Sequence, residues 1–182
     1  MQHLRIGRIV GTAMLAFGAL ATTGCLGDSD PVNVDVNDDH VFGVGVRITQ
    51  QLYTVAGFAE DSENADILAL ADSIVVHQEA QFDAFADLGM TAQESDLSQY
   101  LALQTNQIRN LLSVMTGEEF DRNYIDALVD LHEKAIEYID ADLLPIVEGA
   151  ELEAELMNLR ALLSADLIPA QAIQTEIGPP TT

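Results

Sequence analysis

Residues 116–141 read TGEEFDRNYIDALVDLHEKAIEYIDA. Phe120, Tyr124, Leu128, Ala135 and Ile139 recur at steps of three and four, with His132 in line among them, while charged side chains fill the opposite face. That period is the mark of an amphipathic helix with one face turned to a core. Thr116, followed three places later by Glu119, has the pattern of a capping box and sets the start of the helix. Its end is expected near Ala141.

The same reading extends in both directions. Downstream, Pro145 lies in a connection and a last helix runs from about Gly149 to Ile177, with Pro169 expected to kink it or to split off a short final piece. Upstream, a shorter helix spans about Asp96 to Met115, with Leu97, Leu101, Ile108, Leu111 and Leu112 inward, after a loop at 90–95. A helix before it starts at Ser62 or Asn64 and ends near Gly89, with Ile67, Leu70, Ile74, His77, Phe85 and Leu88 as its stripe. The first helix, capped by Asp38 or Asp39, runs to about Glu60. Between Val41 and Ala59 it carries no acidic residue and one basic residue, Arg47, which implies a largely buried segment. No stretch alternates like a strand. Four main helices and one short one make an all-α bundle over residues 40–177, with 178–182 as a disordered tail.

Composition agrees. Of 182 residues 48% are hydrophobic, there is no Trp, and the formal charge is −23 from 7 basic and 30 acidic residues. A surface so anionic repels DNA, RNA and anionic headgroups, so nucleic-acid binding is excluded. It is expected to serve either as a solubility or high-salt adaptation or as a surface that collects cations. The one cysteine, Cys25, rules out an internal disulfide, so packing alone holds the bundle.

Residues 1–24 have the layout of an export signal. Arg5 and Arg8 form a basic start, and Ile9 to Leu20 is an apolar run too short to span a membrane. Thr22-Thr23-Gly24-Cys25 resembles a lipobox, with lipidation of Cys25 after cleavage; Ala19-Leu20-Ala21 offers ordinary cleavage instead. Lipidation would anchor the protein in the membrane, and Leu26 after the cysteine points to the outer membrane, facing the periplasm. Ordinary cleavage would give a soluble periplasmic or secreted protein. Residues 25–39 form an acidic tether. Asn33, Asp35, Asn37 and Asp39 alternate as in a calcium loop, but Asp38 and Val44 stand where Gly and Glu are needed.

The stretch Phe120-Asp121-Arg122-Asn123-Tyr124-Ile125-Asp126, followed by His132-Glu133-Lys134-Ala135, resembles the ferritin-like bacterial domain-of-unknown-function family 4142. So does Ile67-Leu68-Ala69-Leu70 leading to His77. The likeness covers roughly residues 41–176. It implies an exported protein and a ferritin-like four-helix bundle with the short extra helix in the crossover. The family places Asp before each of these histidines, where this chain has Val76 and Leu131; it often has a first-helix Glu, where this chain offers Gln51 or Leu52; and no His follows His132 here.

His77 and His132 each fall on an apolar helix face, and both are expected in the core. Each lies about 14 residues into its helix, roughly 21 Å along it. A ferritin-like crossover would make the two helices parallel and bring the imidazoles to one level. They are either packed core groups bonded to Gln78, Gln81, Ser73 or Tyr53, or a two-histidine site for a divalent transition metal, or a proton-sensitive switch. Di-iron bundles need Glu-x-x-His pairs, and Ile74 and Val129 stand where those glutamates would be. No nucleophile–base pair or phosphate loop appears, and Glu151, Glu153 and Glu155 are expected to be solvated charge. No catalytic or cofactor-binding residue is assigned. The sequence therefore favours a non-enzymatic envelope protein that binds an unidentified protein partner or stabilises the envelope. A metal-handling or oxidative-stress bundle using His77 and His132 is the alternative.

Overall fold

The first helix starts one residue earlier than the acidic pair Asp38–Asp39 suggested. In the computed structural model, which describes residues 37–178 and Pro180, Asn37 is the extended residue before α1 (Asp38–Ala56), and its side chain accepts from the His40 N–H. Asp38 and Asp39 are already helical. Asp38 is thereby free to accept from the backbone N–H groups of Glu148 and Gly149, at 2.9 and 2.8 Å, just before the last helix. The expected signal, Cys25 and nearly all of the tether lie outside the described residues, as do Pro179, Thr181 and Thr182 of the tail.

The chain leaves α1 by a 3-10 turn, Gly57–Asp61, where a continued α-helix was expected. Asn64 caps α2 (Ala65–Asp87), and the left-handed Gly89 (φ 63°) turns the chain out of it. Ser95 and Ser98 cap α3 (Asp96–Leu112) reciprocally. This helix is shorter than expected, and Leu111 is exposed. The reason is geometric: α3 packs chiefly on α1, so only a narrow stripe through Leu101 and Leu112 is covered. Thr116 does precede α4 (Gly117–Tyr138), but its side chain makes no capping bond, and the entry turn is made by a left-handed Gly117 (φ 59°). All six expected inward positions of α4, from Phe120 to Ile139, are buried. A wide π turn, Ile139–Leu143, follows.

The last helix, α5 (Ala150–Ile177), runs through Pro169 without splitting. Proline removes one donor, the N–H that would have reached Ala165, and packing on both sides compensates: Leu163, Ala170 and Ile173 are all buried.

Side-chain pairings fix the directions of the helices. Phe42 meets Phe85 and Tyr53 meets Phe82, so α1 and α2 are antiparallel. Asp126 with Gln174, Glu133 with Gln171 and Asp140 with Arg160 make α4 and α5 antiparallel. His77 with Asp166 and Gln81 with Asn158 make α2 and α5 antiparallel. It follows that α2 and α4 run the same way. The helix α3 lies in the connection between them. The described residues hold no strand.

Candidate polar site in the bundle core

The buried seam of α2 is Ile67, Leu70, Ala71, Ile74, Gln78, Gln81 and Phe85. It keeps a steady three-then-four step, and that step carries it through two glutamines rather than through His77. His77 stands one position around the helix, with a third of its side chain exposed. The expectation that it faces the core is therefore corrected: it sits on the seam's edge, toward α5.

There it meets a residue that the sequence reading missed. Nδ1 of His77 lies 2.9 and 3.1 Å from the two carboxylate oxygens of Asp166. A carboxylate can only accept, so Nδ1–H donates. Asp166 is almost fully buried. It occupies a core place in α5, in the series Leu152, Leu156, Leu159, Leu163, Asp166, Ala170, Ile173. Helical spacing contains the signal: Asp166 is the acidic member of an otherwise apolar seam, and counting threes and fours back from Ile173 finds it. None of the residues expected to partner His77 does so; Tyr53 bonds Glu79 instead.

His132 is where the period placed it, wholly inaccessible to solvent. Its Nδ1 lies 2.7 Å from the carbonyl oxygen of Leu128, one turn back on the same helix. A carbonyl accepts, so Nδ1 carries the proton and Nε2 presents a lone pair. That lone pair is buried and has no partner among the described residues. Burial pushes the His132 imidazole below its ordinary pKa; the Leu128 bond and the Asp166 charge oppose the shift and do not cancel it. Asp166 thus bonds one histidine and acts electrostatically on the other.

The surroundings are more polar than an apolar-stripe reading implies. Gln78 is fully buried and neither atom of its amide finds a partner. Gln81 reaches toward the Glu155 carbonyl and accepts from Asn158. Glu155 itself is half-buried with Oε2 enclosed, unlike the exposed Glu151 and Glu153. All three had been expected to be solvated.

Among the described residues, no three His, Cys, Asp or Glu side chains are grouped as a metal ion would need. The donors present do not fit the carboxylate-rich di-metal centre of a four-helix bundle. The chemistry of these groups is proton-holding: one imidazole paired with a buried carboxylate, and a second held neutral by burial.

A pH dependence follows from His132. Its folded pKa lies below the unfolded value of about 6.5. The unfolded chain therefore binds the extra proton first, and this group's contribution is full above about pH 6.5 and lost as pH falls from there toward the folded pKa. Urea unfolding of the parent and of His132→Leu from pH 8 to pH 5 isolates the effect from the many carboxylates. The variant should gain stability relative to the parent as pH falls below 6.5. Parallel pH profiles would show that His132 does not titrate differently in the two states.

A family model described as "Domain of unknown function (DUF4142)" matches residues 57–173, well over half of the chain. No curated protein and no solved structure matches it.

Proposed function

Because the chain belongs to this family, domain of unknown function 4142, we propose that it is an exported, lipid-anchored, ferritin-like four-helix bundle that serves as a non-enzymatic binding or structural protein of the cell envelope. The ferritin-like reading draws on the helix directions. With α1 taken as up, α2 and α4 run down and α5 runs up, and α3 occupies the long crossover between the hairpins. That order is the one-crossover arrangement of ferritin-like bundles.

The observation that carries the non-enzymatic reading is the closure of the buried charge upon itself. Both oxygens of Asp166 are engaged by one imidazole Nδ1–H, and the His132 proton is held by its own helix. A buried carboxylate and imidazole paired in this way fix the register of α2 against α5.

Anchoring rests on Cys25 and the lipobox-like residues before it. No helix of the described residues is long and apolar enough to cross a membrane. Acyl chains on Cys25 would hold the bundle at the outer membrane, with the acidic residues 26–39 as spacer. Fractionation of cells carrying Cys25→Ser tests this. The variant should move from the membrane fraction to the soluble periplasm. A variant that stays membrane-bound to the same extent as the parent would remove the lipid anchor from the proposal.

A further inference from the structure

The described part of the chain has five basic side chains: Arg47, Arg109, Arg122, Lys134 and Arg160. Four of them are ion-paired, with Glu94, Glu118, Glu137 and Asp140 respectively. Among the described residues Arg109 is the one with no carboxylate in ion-pair reach. In a chain with 30 acidic residues, an unpaired guanidinium calls for a local cause. The cause is the composition around it. Neither residues 41–59 of α1 and its following turn nor residues 97–115 of α3 and its end contain a single Asp or Glu. These two acid-free faces pack on one another, and between them lies a groove of about 180 Å³.

Both arginines of that region line the groove, with Gln50, Gln51, Thr54 and Asn106. The guanidinium of Arg109 lies over the Phe58 ring, 5.2 Å from its centroid, and Arg47 is steadied by a 2.7 Å bond to Gln50 Oε1. Stacking and a fixed amide hold the two forks in place before any ligand arrives, which lowers the ordering cost of binding. Among the described residues the Asn106 amide and the Gln50 amide nitrogen make no hydrogen bond, so their N–H groups add to the unspent donors on Arg109. The two hydroxyl protons nearby are already given to backbone carbonyls: Thr54 to Gln50 and Thr105 to Leu101. The groove is thus rich in free N–H donors and carries two positive charges on an otherwise anionic molecule.

We propose that this groove between α1 and α3 binds a small oxyanion, a carboxylate or a phosphate, through Arg109 and Arg47. Guanidinium forks match the paired oxygens of either group. The surrounding acidic surface sharpens selectivity, since a large polyanion is repelled everywhere else while a small anion that fits the groove meets a lining with two arginines and no carboxylate of its own. Glu94, exposed and paired to Arg47, is the internal competitor that such an anion displaces. The site is separate from the core pair of His77 and Asp166, and it does not depend on membrane anchoring.

The test is isothermal calorimetry on the acidic bundle with inorganic phosphate and with succinate, each against sodium chloride at equal ionic strength. One-to-one saturable binding of at least one probe is expected, and whichever binds tighter identifies the oxyanion class. Arg109→Gln should weaken it at least tenfold, as should Arg47→Gln. Arg122→Gln, which removes a guanidinium outside the groove, should leave it unchanged. Arg109 is exposed, so its variant should melt at the parent's temperature in chloride, which separates lost binding from lost folding. No saturable heat with either probe, or binding that survives Arg109→Gln, would overturn the proposal.

Discussion

Gly43→Ala should be among the most damaging single-methyl substitutions in this protein. A Cβ built on Gly43 falls 2.1 Å from the backbone oxygen of Gln93 and 3.0 Å from its nitrogen. The loop between α2 and α3 crosses α1 at this point. It is tied there by the Gln93 N–H to the Asp39 carbonyl, 3.1 Å, and by the Gln93 amide to the Asp39 carboxylate. Neither partner is the free end of a side chain, so relief requires moving backbone. Overpacking of this kind costs about 3 kcal/mol, or a drop in melting temperature of roughly 6–12 °C for a domain of this size. Gly57→Ala is the control. It has helical φ and open space around it, so it should be neutral or stabilising by up to about 1 kcal/mol. Thermal melts of the three proteins decide the matter. A Gly43→Ala melt within about 1 °C of the parent would mean that the α2–α3 loop does not clamp α1 as described.

The second large effect lies in the core pair. Removing His77 leaves the Asp166 carboxylate nearly buried and without its donor. Breaking a fully buried pair costs about 3–5 kcal/mol. A third of His77 is exposed and water can partly take its place, so His77→Ala should cost about 2 kcal/mol. Asp166→Leu alone should cost less, because an apolar side chain suits the α5 seam and strands only an imidazole with access to solvent. The double variant His77→Ala/Asp166→Leu should lose less stability than the sum of the two single losses, with a coupling of about 1–3 kcal/mol. Chemical denaturation of the parent, both single variants and the double variant measures it. Strictly additive losses would show that the pair, though close, contributes no mutual energy.

These two sites mark what could be read from the chain and what could not. The α4 helix was legible residue by residue, because one period of three and four runs unbroken from Phe120 to Ile139 and burial follows it. His132 came with it. Helix α2 was legible as a helix but not in its register, since Gln78 and Gln81 occupy core places that an apolar count passes over in favour of His77. Asp166 was missed for the same reason: a carboxylate in a seam is discounted until a partner on another helix is seen. The cap of α1 is Asn37 and not Asp38 or Asp39, since Asn and Asp cap equally well, and α5 does not split at Pro169, where packing overrides a local cost of about 3 kcal/mol.

The sequence by itself determined that the described part of this protein is built of helices without strands, where most of those helices begin and end, how acidic it is, and which family it belongs to. Those properties are set by periodicity, composition and short-range chemistry, all of which are local. Only the tertiary structure decided that His77 pairs with Asp166 across 89 positions, that Gly43 lies under a loop 50 residues downstream, and that Arg47 and Arg109 share one groove. Each of those facts depends on which helix faces become neighbours. That choice is made by the packing of whole helices, and no window of sequence short enough to show a helical period contains both partners.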